Sequence, residues 1–300
     1  MKLSIYGSSN IIFHHIISAA KNSFQIYSIC TSNKKSKNIQ KLAKKFKIKK
    51  IYYDWKKFIK DIKKNNSNIL IAGRINDNEK ILSKCLKANI KSLVEKPLFT
   101  KSNKFNKFLK YNKNIFVGYN RIYYKSIKEI KKIIKEKKTE NILINCPEIN
   151  KKNIILNSCH IISIIFYLYG KISLEKKIKT KNSIFCIFRT KKKIPVYINV
   201  NFNSPENFSI EFNFRKKKVI LKPIEKLVIY NKIKIKKYRN ESMYNPSISK
   251  TINEHEYSNS KPGFDLQYLN FKKFIEGKKS QFITINNAKQ IIQICNEISK

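Results

Sequence analysis

The sequence predicts an α/β plus α+β protein: an N-terminal doubly wound parallel sheet, then a C-terminal domain with a mostly antiparallel, open-faced sheet. Three observations predict it. Residues 1–120 alternate short apolar runs with stretches of helical spacing. Residues 183–238 hold consecutive strands with no helix between them, as antiparallel sheets do. One apolar run, Ser92-Leu93-Val94, ends in Glu95-Lys96-Pro97, a buried strand that delivers charge to an opening and is stopped by Pro97. Ligands of open α/β sheets lie outside the carboxyl ends of the strands, so Lys96 is a candidate proton donor or acceptor. The 300 residues suffice for two cores, expected as domains 1–120 and 121–300, with the C-terminal helices able to pack back on the first.

Lys2-Leu3-Ser4-Ile5-Tyr6 alternates and meets Gly7, giving a first strand and a tight turn. Asn10 to Lys21 has apolar residues at 11, 12, 16, 17 and 20, a helical spacing. Strand, glycine, small polar residues and helix form the layout of a phosphate-binding, Rossmann-type start. Gly7, Ser9, Asn10 and Ile11 are its candidate cofactor-binding residues, with Ser9 where a second glycine usually stands. Gln25 to Cys30 is the second strand, followed by Thr31-Ser32-Asn33-Lys34-Lys35. An acid at that strand end grips ribose hydroxyls in NAD-binding folds, yet the first carboxylate in this chain is Asp54. Thr31, Ser32 and Lys34 suit a 2′-phosphate instead, which favours NADP over NAD; the bland reading is a lysine-rich loop.

Helices follow over Ser36–Phe46 and Trp55–Lys63, with a strand at Ile51–Tyr53 between them. Asn68–Ala72 is a strand; a helix with apolar residues at 81, 82, 85 and 86 ends at Asn89, suited to a left-handed stop. A helix around Lys104–Tyr111 precedes a strand at Ile115–Arg121. In the second half, strands are expected at 183–189, 196–202, 208–214, 219–221, 227–230 and 233–238, and Asn240 to Ser260 reads as a loop or mobile flap.

Composition narrows the partners. A hydrophobic fraction of 42% with 12% aromatics argues for a folded chain. The formal charge of +46 would suggest nucleic acid or an anionic membrane. Only Arg74, Arg121, Arg189, Arg215 and Arg239 among the 65 basic residues are arginine, the residue that base and phosphate forks favour. The lysines are spread among many Ile and Asn residues, all with A/T-rich codons, which reads as coding bias on solvated surfaces. No specific nucleic acid is expected; anionic small molecules are. The N-terminus lacks an apolar core with a cleavage site, and the most apolar stretch, Ile154–Gly170, is too short to span a bilayer, so a cytoplasmic protein without a membrane partner is expected. The six cysteines have no CxxC spacing and read as reduced, mostly buried thiols with no metal site.

Ala72 to Pro97 (AGRINDNEKILSKCLKANIKSLVEKP), followed by Val117-Gly118-Tyr119-Asn120-Arg121, resembles the Gfo/Idh/MocA oxidoreductase family over nearly the whole chain. Its hallmarks are a strand ending in Glu-Lys-Pro and a later Gly-aromatic-Asn-Arg strand. Lys261 to Phe271 resembles the family's returning substrate-domain helix, and Asn286 to Ile298 its closing helix. Leu156 to Gly170 resembles its histidine helix, with His160 present but Leu156 and Ser163 where acids are customary. The resemblance implies an NAD(P)-binding domain, a substrate-binding and oligomerisation domain, and a homo-oligomer (dimer or tetramer). It implies Asn78, Glu95, Lys96 and Pro97 at the cofactor, Asn120, Arg121, Asn157 and His160 at the substrate, and Lys96 with His160 as catalytic groups.

Hydride transfer between a nicotinamide and a sugar carbon needs a positioned cofactor and a group that handles the hydroxyl proton. A lysine half-buried beside a nicotinamide releases its proton more readily than one in water. Glu95 either orients Lys96 or meets the cofactor amide. His14 and His15 read as packing or surface residues. The expected activity is NAD(P)-dependent oxidation or reduction of a sugar, sugar phosphate or nucleotide sugar, by analogy in surface-polysaccharide synthesis. The alternatives are a degenerate relative that binds nucleotide or sugar without turnover, and a basic nucleic-acid-binding protein.

Overall fold

The computed structural model describes residues 1–34, 36–239, 241–257 and 260–300. The chain divides into two compact units, Met1–Asn120 with Asn259–Gln293, and Arg121–Ser258 with Ile294–Lys300.

The first unit runs β1 (Lys2–Tyr6), α1 (Ile11–Lys21), β2 (Gln25–Cys30), α2 (Lys37–Lys45), β3 (Lys50–Tyr52), α3 (Trp55–Lys64), β4 (Asn68–Ile71), α4 (Ile75–Lys87), β5 (Ser92–Glu95) and β6 (Ile115–Gly118). All neighbours pair in parallel, in the order β3-β2-β1-β4-β5-β6. The order reverses between β1 and β4, the switch point at which such sheets hold ligands. Leu3, Ile5, Ile69, Leu70, Leu93, Val94 and Phe116 are fully buried, which explains why the central strands read as apolar runs. Asn89 takes the left-handed conformation (φ 56°) just past α4. The helix expected around Lys104–Tyr111 is instead a 3₁₀ helix, Ser102–Tyr111. Phe105 and Phe108 are both buried, and a three-residue repeat puts them on one side.

The second unit opens with a 3₁₀ turn and α5 (Lys125–Glu136), whose Ile127, Ile130 and Ile133 face inward. Then come β7 (Thr139–Glu148), α6 (Lys151–Asn153), a π turn (Ile154–Ser158) and α7 (Cys159–Tyr169). β8 (Ile172–Lys179), β9 (Ser183–Thr190), β10 (Pro195–Phe202), β11 (Ser209–Phe214), β12 (Lys217–Leu221), β13 (Lys226–Tyr238) and β14 (Glu241–Asn253) complete it. The sheet order is β14-β13-β12-β11-β7-β10-β9-β8, antiparallel except for the parallel pair β7 and β10. Alternate residues of β9, β10 and β11 are buried on one face. The other face carries asparagines, with Asn213 donating to Asn141 at 2.7 Å. The chain closes with α8 (Phe264–Ile275), in the first unit, and α9 (Ile285–Ser299), in which the unit boundary falls.

Two expectations are corrected. The polar segment read as a loop forms β14, which pairs with β13 from Lys226↔Asn253 to Tyr238↔Glu241; Asn240, Ser258 and Asn259 lie outside the described residues. Leu227, Ile229 and Ile252 are buried, but Ile233, Ile235, Tyr244 and Ile248 are more than half exposed, so most of β14 has no buried face to write a period into its sequence. The apolar stretch read as too short belongs to a continuous helix, Lys151–Tyr169, long and apolar enough to cross a membrane by length and composition alone. Its residues Cys159–Phe166 are all buried in the second unit, the position of a core helix.

Candidate functional site

In the first unit the site is built where β1, β2, β4 and β5 end. Gly7 closes β1 at φ 141°, its N–H donating to the Cys30 carbonyl at 2.8 Å. A Cβ there would lie 2.5 Å from the Ala72 carbonyl oxygen, so β4 comes too close for any other residue. Ser8, Ser9 and Asn10 then turn into α1. Ser9 and Asn10 are exposed, Ile11 is half-buried, and α1 has neither a side-chain cap nor an acid in its first turn. Such an end carries a partial positive charge that favours an anion, although the Ile12 and Phe13 N–H groups already donate to the Ser9 and Asn10 carbonyls at 3.1 and 3.2 Å.

Beside this turn lies a cleft of about 90 Å³ lined by Tyr6, Gly7, Ser8, Thr31, Ser32, Asn33, Gly73, Arg74 and Asp77. Thr31 donates its hydroxyl to Ser8 Oγ at 3.2 Å, and Asn38 donates to the Ser8 carbonyl at 2.6 Å. Of the expected cofactor residues, Gly7, Thr31 and Ser32 line this cleft; Ser9, Ile11 and the exposed Lys34 do not, and Lys35 lies outside the described residues. Asn10 lines a separate groove with Phe13, His14 and Asn38. An acid does line this cleft: Asp77 arrives from α4, because β4 is the neighbour of β1. Tyr6 donates its hydroxyl to Asp77 Oδ2 at 3.3 Å, and burial, with the Asp77 charge, pushes its phenol up to about 12.

Lys96 follows β5 directly and is half-buried; Pro97, joined to it by a cis peptide, is buried. The Lys96 backbone N–H donates to Glu95 Oε2 at 3.2 Å. Glu95 Oε1 lies 3.0 Å from His15 Nε2, and His15 Nδ1 lies 3.0 Å from the Tyr268 hydroxyl. His15 and Tyr268 are fully buried. Burial alone would raise the Glu95 carboxyl; the His15 contact, with the Lys96 and Lys261 charges, holds it below the usual carboxylate range. Burial, with the Glu95 charge, pushes the Tyr268 phenol well up, so it keeps its proton. The Tyr268 hydroxyl is a hydrogen-bond partner of Nδ1, while Nε2 and Glu95 Oε1 stand in close polar contact outside hydrogen-bond geometry. Both Glu95 oxygens lie against groups of their own unit, Oε2 on the Lys96 N–H and Oε1 against His15, so His15 is more than a packing residue.

Asn78 is buried and donates to the Leu98 carbonyl at 3.3 Å, bracing the segment after Pro97. Asn120, also buried, donates to the Pro262 carbonyl at 2.8 Å.

In the second unit, Arg121 lies 3.2 Å from Glu225 Oε1. The π turn changes how the histidine helix reads. An α-helix would set Leu156 and His160 on one face, but i→i+5 bonding over Ile154–Ser158 displaces that register. His160 is buried in the first turn of α7, and Ser163 donates its hydroxyl to the His160 carbonyl at 2.7 Å. The helix does have a carboxylate beside it. Glu148, buried at the end of β7, accepts from Asn157 Nδ2 at 3.1 Å, Ser158 N at 3.1 Å and Ser158 Oγ at 2.5 Å. Asn157 itself is exposed.

No family model matches the sequence, and no curated protein matches it. Solved structures do. Levoglucosan dehydrogenase in complex with NADH and levoglucosan superposes with a TM-score of 0.79 at 13% identity, over 99% of this chain and 95% of that one. A dehydrogenase (MviM) from Clostridium difficile gives 0.76 at 16%, over 99% and 98%. A putative NADPH-dependent oxidoreductase from Desulfitobacterium hafniense gives 0.79 at 10%, over 99% and 94%. The chain shares its fold with these dehydrogenases.

Proposed function

We propose that the chain is an NAD(P)-dependent oxidoreductase that moves a hydride between a nicotinamide and a carbon of a sugar, sugar phosphate or nucleotide sugar. The observation that carries this reading is Lys96, half-buried at the carboxyl end of β5, with its backbone fixed by Glu95 and Glu95 held by His15. The glycine turn at Gly7 and the uncapped α1 in the same sheet fit a dinucleotide pyrophosphate. The neighbours that carry NADH or are described as NADPH-dependent support the cofactor class.

A bound dinucleotide supplies the hydride donor or acceptor. The start of α1 would hold its phosphates, and the Thr31 and Ser32 side chains would hold its 2′-phosphate. Lys96 takes or returns the proton of the reacting hydroxyl, and Glu95 with His15 keeps it in place. His160 is the second acid–base group, and Asn157 binds a substrate hydroxyl. The reading includes a cytoplasmic homo-oligomer joined through the asparagine-bearing sheet face, checked by sedimentation.

A second reading, a relative that binds nucleotide or sugar without turnover, is favoured by Leu156 and by the turned-back Ser163 hydroxyl. One experiment separates the two. The protein is titrated with NADPH and NADH, and the tighter cofactor is used in a screen of sugars, sugar phosphates and nucleotide sugars. Turnover that falls roughly 100-fold or more in Lys96→Ala, with cofactor binding intact, supports the enzyme. Unchanged turnover sinks the role of Lys96, and cofactor binding without turnover on any sugar supports the second reading.

A further inference from the structure

The cleft at the β1–β4 switch point contains a charged pair that neither the fold nor the glycine turn requires. Arg74 and Asp77 both come from the start of α4, Arg74 as the residue preceding its first turn, exposed, and Asp77 within that turn, half-buried. They share the cleft with Thr31 and Ser32, the residues that follow β2. Its volume of about 90 Å³ is that of roughly three water molecules, which suits one phosphate or one ribose edge rather than a whole dinucleotide.

Tyr6 connects the two sides. Its ring lies against Gly73, where a Cβ would come within 2.7 Å of Cε1 and 3.0 Å of Cδ1, so Gly73 leaves the room that the ring fills. Its hydroxyl donates to Asp77 Oδ2 at 3.3 Å and also meets the Ser32 side chain. The phenol keeps its proton at neutral pH and so stays a donor to the carboxylate. Dinucleotide folds ordinarily read the ribose with an acid about 20 residues beyond the glycine turn, or with a nearby arginine when a 2′-phosphate is present. Here that stretch has no acid, and an arginine and an acid arrive together from α4.

We propose that Arg74 and Asp77 set which nicotinamide dinucleotide this chain takes, with Arg74 receiving the 2′-phosphate of NADP and Tyr6 holding the Asp77 carboxylate away from it. This inference rests on the function proposed above and names the specificity-determining residues of the same site. The guanidinium forks onto phosphate oxygens, whereas a carboxylate released from Tyr6 accepts from a free 2′-hydroxyl and repels a phosphate.

The test is equilibrium binding of NADPH and of NADH to the full chain, followed by cofactor fluorescence, with thermal unfolding of each variant as the control for folding. The wild type binds NADPH more tightly. Arg74→Gln raises the NADPH Kd roughly tenfold, the loss of about 1.4 kcal/mol, and leaves NADH binding unchanged. Asp77→Asn tightens NADPH and does not tighten NADH, and Tyr6→Phe moves the ratio towards NADH. A wild type that prefers NADH, or an Arg74→Gln variant that weakens both cofactors equally, overturns the assignment while leaving the oxidoreductase reading in place. A wild type that binds neither cofactor overturns both.

Discussion

His15 Nε2 lies 3.0 Å from the Glu95 carboxylate inside the first unit, and the residue after Glu95 is Lys96. The pair links α1, which starts at the glycine turn, to the strand that delivers the candidate catalytic lysine. Removing the imidazole leaves a half-buried carboxylate without its partner. His15→Ala is therefore expected to lower unfolding stability by about 2 kcal/mol in urea titrations. His15→Asn, which keeps a polar group beside the carboxylate, costs less. Equal losses in both variants would mean that packing, not the contact to Glu95, sets the effect.

Acid pH probes the same pair. The Glu95 carboxyl sits below its usual range in the folded chain, so the unfolded chain binds the proton more readily. Its contribution to stability is complete above the ordinary glutamate value of about 4.3 and is lost as pH falls through the folded value. Glu95→Gln should flatten the decline in stability below about pH 4. An unchanged slope would show that other carboxylates account for the whole acid transition.

Much of the site was legible because local patterns write it. Strand–glycine–helix marks the turn at Gly7, and an apolar run ending in Glu95-Lys96-Pro97 marks the end of β5. The sequence also carried a signal for His15, which falls with Ile12, Ile16 and Ala19 on one buried helical face, although it reads as an ordinary packing residue. Glu148 had one too: it follows Ile142, Ile144 and Cys146 at period two, an acid where the strand calls for an apolar residue. Asp77 could not be placed from the local sequence, because only the β1–β4 adjacency brings it to the end of β1. The π turn and the largely exposed, polar β14 leave no hydrophobic period to read, whereas β13 was legible.

Glu148 provides a third prediction. It accepts three hydrogen bonds from Asn157 and Ser158 while buried, so an apolar replacement orphans a backbone N–H and a hydroxyl. Glu148→Leu should cost about 2–4 kcal/mol, and Glu148→Gln, which keeps an acceptor, clearly less. Denaturant unfolding of the two variants checks it; a Glu148→Leu variant as stable as the wild type would contradict these contacts.

Gly7 separates scaffold from ligand. A Cβ at 2.5 Å from the Ala72 carbonyl, at φ 141°, strains the folded chain before any cofactor arrives. Gly7→Ala should lower stability by about 2 kcal/mol or more in the absence of cofactor, measured by urea unfolding. A wild-type midpoint would mean that β4 can move away from the turn.

Ser9 offers the cleanest test of the central claim. It is exposed in the turn before α1, and a carboxylate at a helix N-terminus stabilises the helix while repelling a phosphate. The measurement is NADPH and NADH binding to the wild type and to Ser9→Asp, with thermal unfolding of both. The account predicts saturable binding by the wild type, lost in Ser9→Asp, with an unfolding midpoint that stays level or rises. Absence of binding by the wild type, or binding that Ser9→Asp leaves untouched, would contradict it.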